Sequence, residues 1–274
     1  MGENLKMEET GSGNTRKRDT AWAESERSIQ LQSKKRIVEE EEESRKKSSR
    51  TSSRIIELGN GSQVVYYPSF LDYNEAWKLF DYLNNHIPWT RPTIRVFGRS
   101  CVQPRDSCYV ATEGVSELKY SGYQPQAYPW HQFPPLQHLL QAVEDGVPGS
   151  HFNSLLLNRY NGGNDYVSWH SDDESLYGPT PLIASLSFGC DRHFYLKKKP
   201  NKLASSVLKK NSSDESSSKQ LKKTKNVDEQ HSMLLKHGSL LVMRGYTQRD
   251  WNHSVPKRTK LDAVRINLTF RLVL

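Results

Sequence analysis

The 274-residue sequence is poor in cysteine and in apolar residues. Its three cysteines are too few and too scattered for a disulfide framework or a zinc site, which favours a reducing compartment. No apolar run approaches the roughly 20 residues that span a bilayer, so we expect no transmembrane helix and no membrane partner. The N-terminus lacks the apolar stretch of a secretory signal peptide. Because only 35% of the residues are hydrophobic and the mean hydropathy is −0.78, part of the chain is expected not to fold.

Positive charge is abundant instead, and it is concentrated in two segments that together account for the net charge of +8. Residues 1–54 carry 13 Lys+Arg against 11 Asp+Glu and almost no apolar periodicity, which predicts a disordered tail with short basic clusters. Residues 197–230 carry 10 Lys against 4 Asp+Glu and are rich in serine, which predicts a long flexible basic insertion between two strands. The remaining chain is neutral. This distribution points to a polyanionic partner.

Residues 55–274 are predicted to form one α+β, mainly β domain. Helices are expected after Asp72 and after Pro134, where apolar residues recur at helical spacing. Strands are expected at 63–67, 152–160, 182–188, 194–196, 240–243 and 265–274. Helices early and strands late are typical of an antiparallel β-sandwich or barrel with supporting helices on one side. We expect four of the large aromatic residues in the core: Trp89, Trp130, Phe188 and Tyr195.

A histidine and an aspartate two residues apart form the first chemical motif. In an extended segment His170 and Asp172 project to the same side, and they offer a nitrogen and an oxygen ligand. These are two of the three ligands of the facial triad that holds non-haem Fe(II). The third ligand must be a downstream histidine, and the candidates are His193, His231, His237 and His253. Alone, the pair is a weak signal, because His and Asp often occur at this spacing by chance.

The last strand alternates strictly between apolar and polar residues. Its polar face carries Arg265, Asn267, Thr269 and Arg271. Such a face is typical of an exposed edge strand, but it also suits an interior that binds a dicarboxylate, because guanidinium groups bind carboxylates through two hydrogen bonds. A flat strand would put the two arginines roughly 20 Å apart, so both reach one small ligand only if the strand curves. Asn158 offers a further group for carboxylate oxygens.

Together these motifs resemble the AlkB-type Fe(II)- and 2-oxoglutarate-dependent dioxygenases. The resemblance covers roughly residues 60–196 and 232–274 and is greatest to the nucleic-acid demethylases of the family, its homologues 2 and 3. It implies a double-stranded β-helix (jelly roll). It also implies that iron is held by His170, Asp172 and His253. For 2-oxoglutarate, it implies Asn158 and Arg271 at the 1-carboxylate and Tyr160, Arg265 and Asn267 at the 5-carboxylate.

The same resemblance implies an activity. The enzyme is expected to repair DNA by oxidative demethylation of N1-methyladenine and N3-methylcytosine, using Fe(II), O2 and 2-oxoglutarate and releasing succinate, CO2 and formaldehyde. Its expected partner is alkylated DNA, duplex and single-stranded, and we expect a monomer in the nucleus, with the cytoplasm as the alternative. One alternative function is an RNA or single-strand demethylase of the homologue 3 type, which residues 247–251 resemble. A second, of a different class, is a catalytically silent nucleic-acid-binding module.

The resemblance also indicates residues that contact the substrate. Val96, Phe97 and Gly98 are similar to an apolar finger of homologue 2, and such a wedge fills the gap left by a flipped base. The alternative is a hairpin whose Phe97 packs inward. Arg105 is also assigned to substrate binding. The basic insertion is expected to clamp DNA non-specifically.

A base-binding lid is expected at Tyr120 and Ser121, although Leu118 departs from the tyrosine often found there. Asp173 is expected to accept a hydrogen bond from the exocyclic amine of the base, with Glu174 behind it. The alternative is an ordinary pair of carboxylates on a solvated loop.

Overall fold

The computed structural model describes residues 52–96, 98–115, 118–119, 122–200 and 229–274, together with Lys35. The predicted tail, apart from Lys35, and most of the predicted insertion lie outside these residues. From residue 52 onward, the described residues belong to one compact unit. Within the described part, no helix is long and apolar enough to cross a membrane.

Fourteen strands and three α-helices make up the described fold. The strands are β1 (Arg54–Gly59), β2 (Ser62–Tyr67), β3 (Thr93–Val96), β4 (Arg99–Val102), β5 (Asp106–Ala111), β6 (Ala127–Tyr128), β7 (Ser154–Tyr160), β8 (Val167–His170), β9 (Ile183–Gly189), β10 (Arg192–Lys198), β11 (Gln230–Leu235), β12 (Leu240–Gly245), β13 (Trp251–Val255) and β14 (Arg265–Arg271). The helices are α1 (Tyr73–His86), α2 (Pro134–Gly146) and the single turn α3 (Thr247–Asp250).

The strands form two large sheets and one hairpin. The larger sheet has the order β1-β2-β12-β9-β14-β7-β5-β6, and the smaller one has the order β11-β10-β13-β8. Apolar side chains from β9 and β12 of the larger sheet pack against side chains from β10 and β11 of the smaller one, so the two sheets lie face to face. This is the predicted jelly roll, and in the described residues the two sheets do not close into a barrel.

Both long helices begin where the sequence predicts them. The Asp72 carboxylate accepts hydrogen bonds from the backbone N–H groups of Asn74 and Glu75 and so caps α1. Two prolines occupy the first turn of α2, where a missing N–H leaves no hydrogen bond unmade. Buried residues of both helices join one apolar cluster with the larger sheet. The prediction of supporting helices on one side is therefore confirmed.

Strand β14 lies in the middle of the larger sheet, between β7 and β9, and all seven of its residues are buried. Its apolar side chains Ile266, Leu268 and Phe270 belong to the cluster beneath the helices. Since side chains alternate along a strand, the polar face points into the space between the two sheets. The alternative of an exposed edge strand is therefore excluded for this segment.

The predicted insertion connects neighbouring strands. β10 and β11 pair in antiparallel register over six residue pairs, from Arg192 opposite Leu235 to Lys197 opposite Gln230. β10 therefore ends at Lys198 and β11 begins at Gln230, so both strands extend slightly into the segment 197–230 that was predicted as the insertion. Residues 199–229 join the two strands of this hairpin, and residues 201–228 lie outside the described part.

Candidate metal and dicarboxylate site

Three side chains from β8, β13 and the loop after β8 form a cluster of metal-binding groups. Ligand atoms of His170, Asp172 and His253 all lie within 4.8 Å of one another. The two histidines are directly opposite each other in the β8–β13 pair. Among the described residues, this is the one group of three or more such side chains able to hold a metal. Two imidazoles and one carboxylate are the donor set of a non-haem Fe(II) triad.

Both imidazoles are prepared to act as neutral ligands. The Nδ1 atom of His170 lies 2.9 Å from the carbonyl oxygen of Ser168, so Nδ1 carries the proton and Nε2 keeps its lone pair. That Nε2 atom lies 3.9 Å from Oδ1 of Asp172. His253 is buried and stacks on Phe194 with ring centroids 5.3 Å apart. Burial and the neighbouring His170 lower the pKa of His253 to about 3, which keeps its ring neutral.

The carboxylate of Asp172 is held from two directions. Its Oδ2 atom accepts a hydrogen bond of 2.8 Å from Nη2 of Arg271, and both side chains are buried. The backbone N–H of Asp172 donates to Oε1 of Gln248 at 3.0 Å. Burial by itself raises the pKa of Asp172, but the opposing effects, of which the charge of Arg271 is the largest, outweigh it, and the net pKa is well below the usual range. The carboxylate is therefore ionised and fixed in orientation.

The polar face of β14 presents hydrogen-bond donors that lack protein acceptors. Nη2 of Arg265 donates to Ser187 and Asn267 at 3.0 and 2.7 Å. Its Nε and Nη1 atoms are buried without a partner, as is Nε of Arg271. Leaving a buried donor unsatisfied costs about 1–3 kcal/mol, and more for a charged group. These residues therefore fit an anionic ligand with oxygen atoms at both ends, such as 2-oxoglutarate.

A cavity of about 460 Å³ between the two sheets contains the metal-binding cluster. Polar side chains from the larger sheet also line it: Asn158, Tyr160, Ser185, Asn267, Thr269 and Arg271. Arg265 is not among the lining residues, and its guanidinium lies 5.3 Å from the ring centroid of Tyr160, which does line the cavity. The volume is within the range of about 300–1,000 Å³ that is usual for small-molecule sites.

The two acidic residues after the metal ligand differ in exposure and in their neighbours. Glu174 lines the cavity, and its Oε2 atom is buried without a hydrogen-bond partner. Burial and the nearby Asp172 raise the pKa of Glu174. Asp173 is not among the lining residues: its side chain is 58% exposed and pairs with Nζ of Lys199 at 3.0 Å. In the structure it is therefore Glu174, expected behind Asp173, that faces the cavity.

Of the other substrate-contacting candidates that the structure describes, Arg105 lines the cavity and Gly98 does not. Nε of Arg105 donates to Oδ1 of Asn158 at 2.8 Å, and both residues line the cavity. Strands β3 and β4 pair so that Val96 is opposite Arg99, and Gly98 in the connecting turn has a φ of +77°. Leu118 is buried and lines the cavity. The side chain of Val96 and the residues Phe97, Tyr120 and Ser121 lie outside the described part, so their roles stay predictions.

Two residues that sequence reasoning missed, Gln248 and Lys199, make hydrogen bonds at the site. Gln248 holds the backbone of Asp172 although the two residues are 76 positions apart, and its Nε2 atom donates to the sulfur of Met243. Lys199 donates both to Asp173 and to the carbonyl oxygen of Gln248. The position of Gln248, in the helical turn just before β13, is the one feature that could have suggested it.

His237, another candidate metal ligand, is not part of the metal-binding cluster and contacts Gly189 and Trp77 instead. Its Nδ1 atom accepts a hydrogen bond of 2.9 Å from the backbone N–H of Gly189, and its ring stacks on Trp77 with centroids 4.2 Å apart. Its backbone N–H donates to the carboxylate of Asp191. Burial lowers the pKa of His237 below 6.5, and this outweighs the opposing effect of a hydrogen bond to the backbone of Tyr73 and of the charge of Asp191. His237 therefore stabilises the turn between β11 and β12 through its hydrogen bonds to Gly189 and Asp191.

This environment predicts a pH effect on stability. Because folding lowers the pKa of His237, its contribution to stability is complete above about pH 6.5 and is lost as the pH falls toward the folded-state pKa. His237→Asn keeps an acceptor for Gly189 but cannot be protonated. We expect the difference in unfolding free energy between wild type and His237→Asn to shrink between pH 7.5 and 5.5 in urea titrations. The exposed His138→Asn variant is the control, and a difference that is independent of pH contradicts this prediction.

Comparison with known proteins agrees with the donor set of the metal-binding cluster and with a dicarboxylate ligand. The family model described as 2OG-Fe(II) oxygenase superfamily matches residues 63–271. The chain is 60% identical to DNA oxidative demethylase ALKBH2 of Arabidopsis thaliana over 223 residues, 81% of this chain and 70% of that protein. It is 38% identical over 213 residues to alpha-ketoglutarate-dependent dioxygenase alkB homolog 3 of Homo sapiens, 77% of this chain and 66% of the relative.

Identity to DNA oxidative demethylase ALKBH2 of Homo sapiens is 35% over 205 residues, 73% of this chain and 69% of that protein. The expected resemblance to AlkB-type enzymes is therefore confirmed. The family match and these identities show that the chain belongs to the 2OG-Fe(II) oxygenase superfamily, whose dioxygenases use Fe(II), 2-oxoglutarate and O2.

Proposed function

We propose that this enzyme repairs DNA by oxidative demethylation of N1-methyladenine and N3-methylcytosine in duplex and single-stranded DNA. The observation that carries the proposal is the 60% identity, over 81% of the chain, to a relative named DNA oxidative demethylase. RNA or single-stranded nucleic acid is the second candidate substrate, because the chain is also 38% identical to alkB homolog 3. We further propose that it acts in the nucleus, which the basic clusters of the tail favour, and that it acts as a monomer.

His170, Asp172 and His253 would hold Fe(II) in this proposal, with the carboxylate of Asp172 kept ionised by Arg271. Bound iron with 2-oxoglutarate and O2 supplies the oxidation that converts an N-methyl group into a hydroxymethyl group, which leaves as formaldehyde while succinate and CO2 are released. The chain itself binds and orients the reactants. His253 is buried and His170 partly buried, and burial lowers the pKa of both rings, which supports their role as neutral ligands.

The dicarboxylate would lie along the polar face of β14. Arg271 and Asn158 would bind its 1-carboxylate beside the metal, and Tyr160, Arg265 and Asn267 would bind the other end. The unpartnered guanidinium atoms of both arginines support this orientation. The hydrogen bond from Arg105 occupies the amide oxygen of Asn158 and so leaves the NH2 group of the amide to donate to the ligand.

The substrate base would enter the same cavity from the side of the β3–β4 hairpin. Ile94, Cys101 and Val102 of this hairpin line the cavity. A base that reaches the metal must leave the stack, and a base with a methylated pairing edge leaves it at a lower energetic cost. Val96, Phe97 and Gly98 would fill the vacated space, Tyr120 and Ser121 would cover the base, and Arg105, Asp173 and Glu174 would contact it.

The function is tested with one set of substrates. Purified enzyme with Fe(II) and 2-oxoglutarate is offered methylated single-stranded DNA, the same strand in a duplex, and the matching RNA, and the products are identified by mass. We expect loss of one methyl group from both forms of DNA. Turnover on RNA or single strands alone would favour the second candidate, and succinate release with no demethylated product from any substrate contradicts the proposal.

Matched variants can show which of the two acidic residues, Asp173 or Glu174, contributes more to binding of the methylated substrate. Because Glu174 lines the cavity and Asp173 pairs with Lys199, we expect Glu174→Gln to raise KM for the methylated substrate by about tenfold or more, and Asp173→Asn to have the smaller effect. Iron binding is measured in both variants, because each residue is close to Asp172. A larger effect of Asp173→Asn would contradict this prediction and favour the assignment made from the sequence.

A further inference from the structure

A second concave surface lies on the outer face of the smaller sheet. It is a groove of about 350 Å³, which we call the outer groove. The residues that line it are Trp169, Tyr195, Gln230, Ser254, Pro256, Lys257 and Arg258. None of them is acidic, and the proposed chemistry uses none of them.

The outer groove and the metal-binding cavity share two strands of the sheet. His170 of β8 and His253 of β13 face the inner cavity, while their chain neighbours Trp169 and Ser254 line the outer groove. Ser254 is directly opposite Tyr195 of β10. The groove therefore crosses β8, β13 and β10 on the face opposite the metal-binding cluster.

Trp169 connects the two surfaces. It lies on β8, the edge strand of the sheet, its side chain is 45% exposed, and it lines both the inner cavity and the outer groove. A chain that leaves the cavity around this edge would pass over Trp169 and enter the groove. Adjacent strands lie about 4.8 Å apart, so the groove extends about 10 Å from Trp169 to Tyr195, the length of about three stacked bases.

The groove combines aromatic and basic groups. Tyr195, which the sequence-based expectation placed in the core, is only half-buried because it faces outward from β10. Lys257 and Arg258 are exposed, and Nζ of Lys257 lies 4.8 Å from the ring centroid of Tyr166. Nucleic-acid bases stack on aromatic side chains in a way that tolerates any sequence, while Lys and Arg contact the phosphates.

The basic wall of the groove has a fixed backbone. The N–H of Arg258 donates to the carbonyl oxygen of Gly163 at 2.7 Å, and the N–H of Leu261 donates to the carbonyl oxygen of Arg258. A Cβ atom at Gly163 would lie 1.7 Å from that oxygen of Arg258, so only glycine permits this approach. The wall is thus anchored to the fold before any ligand binds.

We propose that the outer groove binds the nucleotides that flank the base in the cavity, on the same strand. Their bases stack on Trp169 and Tyr195, and their phosphates contact Lys257 and Arg258. The shared residue Trp169, the lack of acidic groups and the length of the groove all favour a single strand over a protein partner. This proposal rests on the proposed function, because it requires a nucleic-acid substrate.

Tyr195→Ala tests the stacking, because Tyr195 lies outside the cavity. The substrates are a methylated mononucleotide and two oligonucleotides with flanking nucleotides on only the 5′ or only the 3′ side of the methylated base. We expect KM to rise about 5- to 150-fold for one oligonucleotide and to stay unchanged for the other and for the mononucleotide, as loss of about 1–3 kcal/mol of stacking requires. Tyr73→Ala, an exposed aromatic on α1, is the control.

Equal changes for all three substrates, or no change for any, would overturn the proposal. If wild-type enzyme demethylates none of them, the proposed function itself fails, which is a different result. A second measurement uses the binding of unmethylated single-stranded DNA at several salt concentrations. Lys257→Ala should reduce the salt slope by about 0.7, the value for one phosphate contact, and Lys236→Ala on a distant turn should not.

A polyglutamate peptide serves as a competitor of equal charge in the binding measurement. We expect it to displace the DNA far less effectively than unlabelled DNA does, because it cannot stack on Trp169 and Tyr195. Equal competition would show that the groove recognises charge alone, and it would overturn the proposal.

Discussion

Asp172→Asn is expected to reduce 2-oxoglutarate turnover by more than about 10²-fold, because changes to groups that merely support metal ligands already cost 10- to 100-fold. The substitution keeps the size of the side chain but removes the one anionic ligand of the cluster. It also leaves the guanidinium of Arg271 buried without its partner. We therefore expect the free energy of unfolding to fall by about 3–5 kcal/mol in the metal-free protein.

Metal binding separates the two consequences of this variant. Anaerobic titration with Fe(II) should show a large loss of affinity for Asp172→Asn at a temperature where the variant is folded. Asp262→Asn, in the exposed loop before β14, should bind iron as the wild type does. Retained iron affinity and turnover in Asp172→Asn would show that the cluster is not the metal site.

Arg265→Leu is expected to raise KM for 2-oxoglutarate by about 30-fold or more, since truncating one partner of a buried charge pair costs about 2–5 kcal/mol. The effect on folding should be small, because two of its three guanidinium nitrogens have no protein partner in the structure. Removing a guanidinium that is buried without an anionic partner also removes the cost of its desolvation.

Arg192 is the matched control for Arg265. It is also buried and lies on the same aromatic ring, 5.5 Å from the centroid of Tyr160, but it donates to the carbonyl oxygens of Gly162, Asp165 and Pro256. Arg192→Leu should therefore destabilise the protein and leave KM for 2-oxoglutarate unchanged. The two variants thus predict opposite patterns in urea denaturation and in steady-state kinetics. Unchanged KM in Arg265→Leu would remove Arg265 from the dicarboxylate site.

Two members of the metal-binding cluster and the polar face of β14 could be predicted because they depend on local periodicity, whereas the resemblance to a known family was needed to select His253 among four histidines. His170 and Asp172 are two residues apart, and the polar residues of β14 alternate with apolar ones along seven residues. The periodicity did not reveal whether that polar face was exposed. This depends on the neighbours of β14 in the sheet, β7 and β9, which lie far earlier in the chain.

In loops, the alternation of side chains along a strand cannot be used to predict which residues face the cavity. β8 ends at His170, so alternation along the strand no longer tells which way Asp173 and Glu174 point, and the sequence does not show which of the two faces the cavity. Gln248 reaches Asp172 across 76 positions. Tyr195 lies on a regular strand, but a pattern of aromatic residues does not distinguish the covered face of a sheet from the open one.

The hairpin of β10 and β11 has a consequence for the length of the segment that connects its two strands. Six residue pairs fix the ends of the connecting segment whatever lies between them, and β11 is the outermost strand of its sheet. The entropy of closing such a segment grows only with the logarithm of its length, so doubling the length costs about 0.6 kcal/mol. The hairpin itself therefore sets no narrow limit on the number of residues that join Lys198 to Gln230, because lengthening that connection costs little closure entropy.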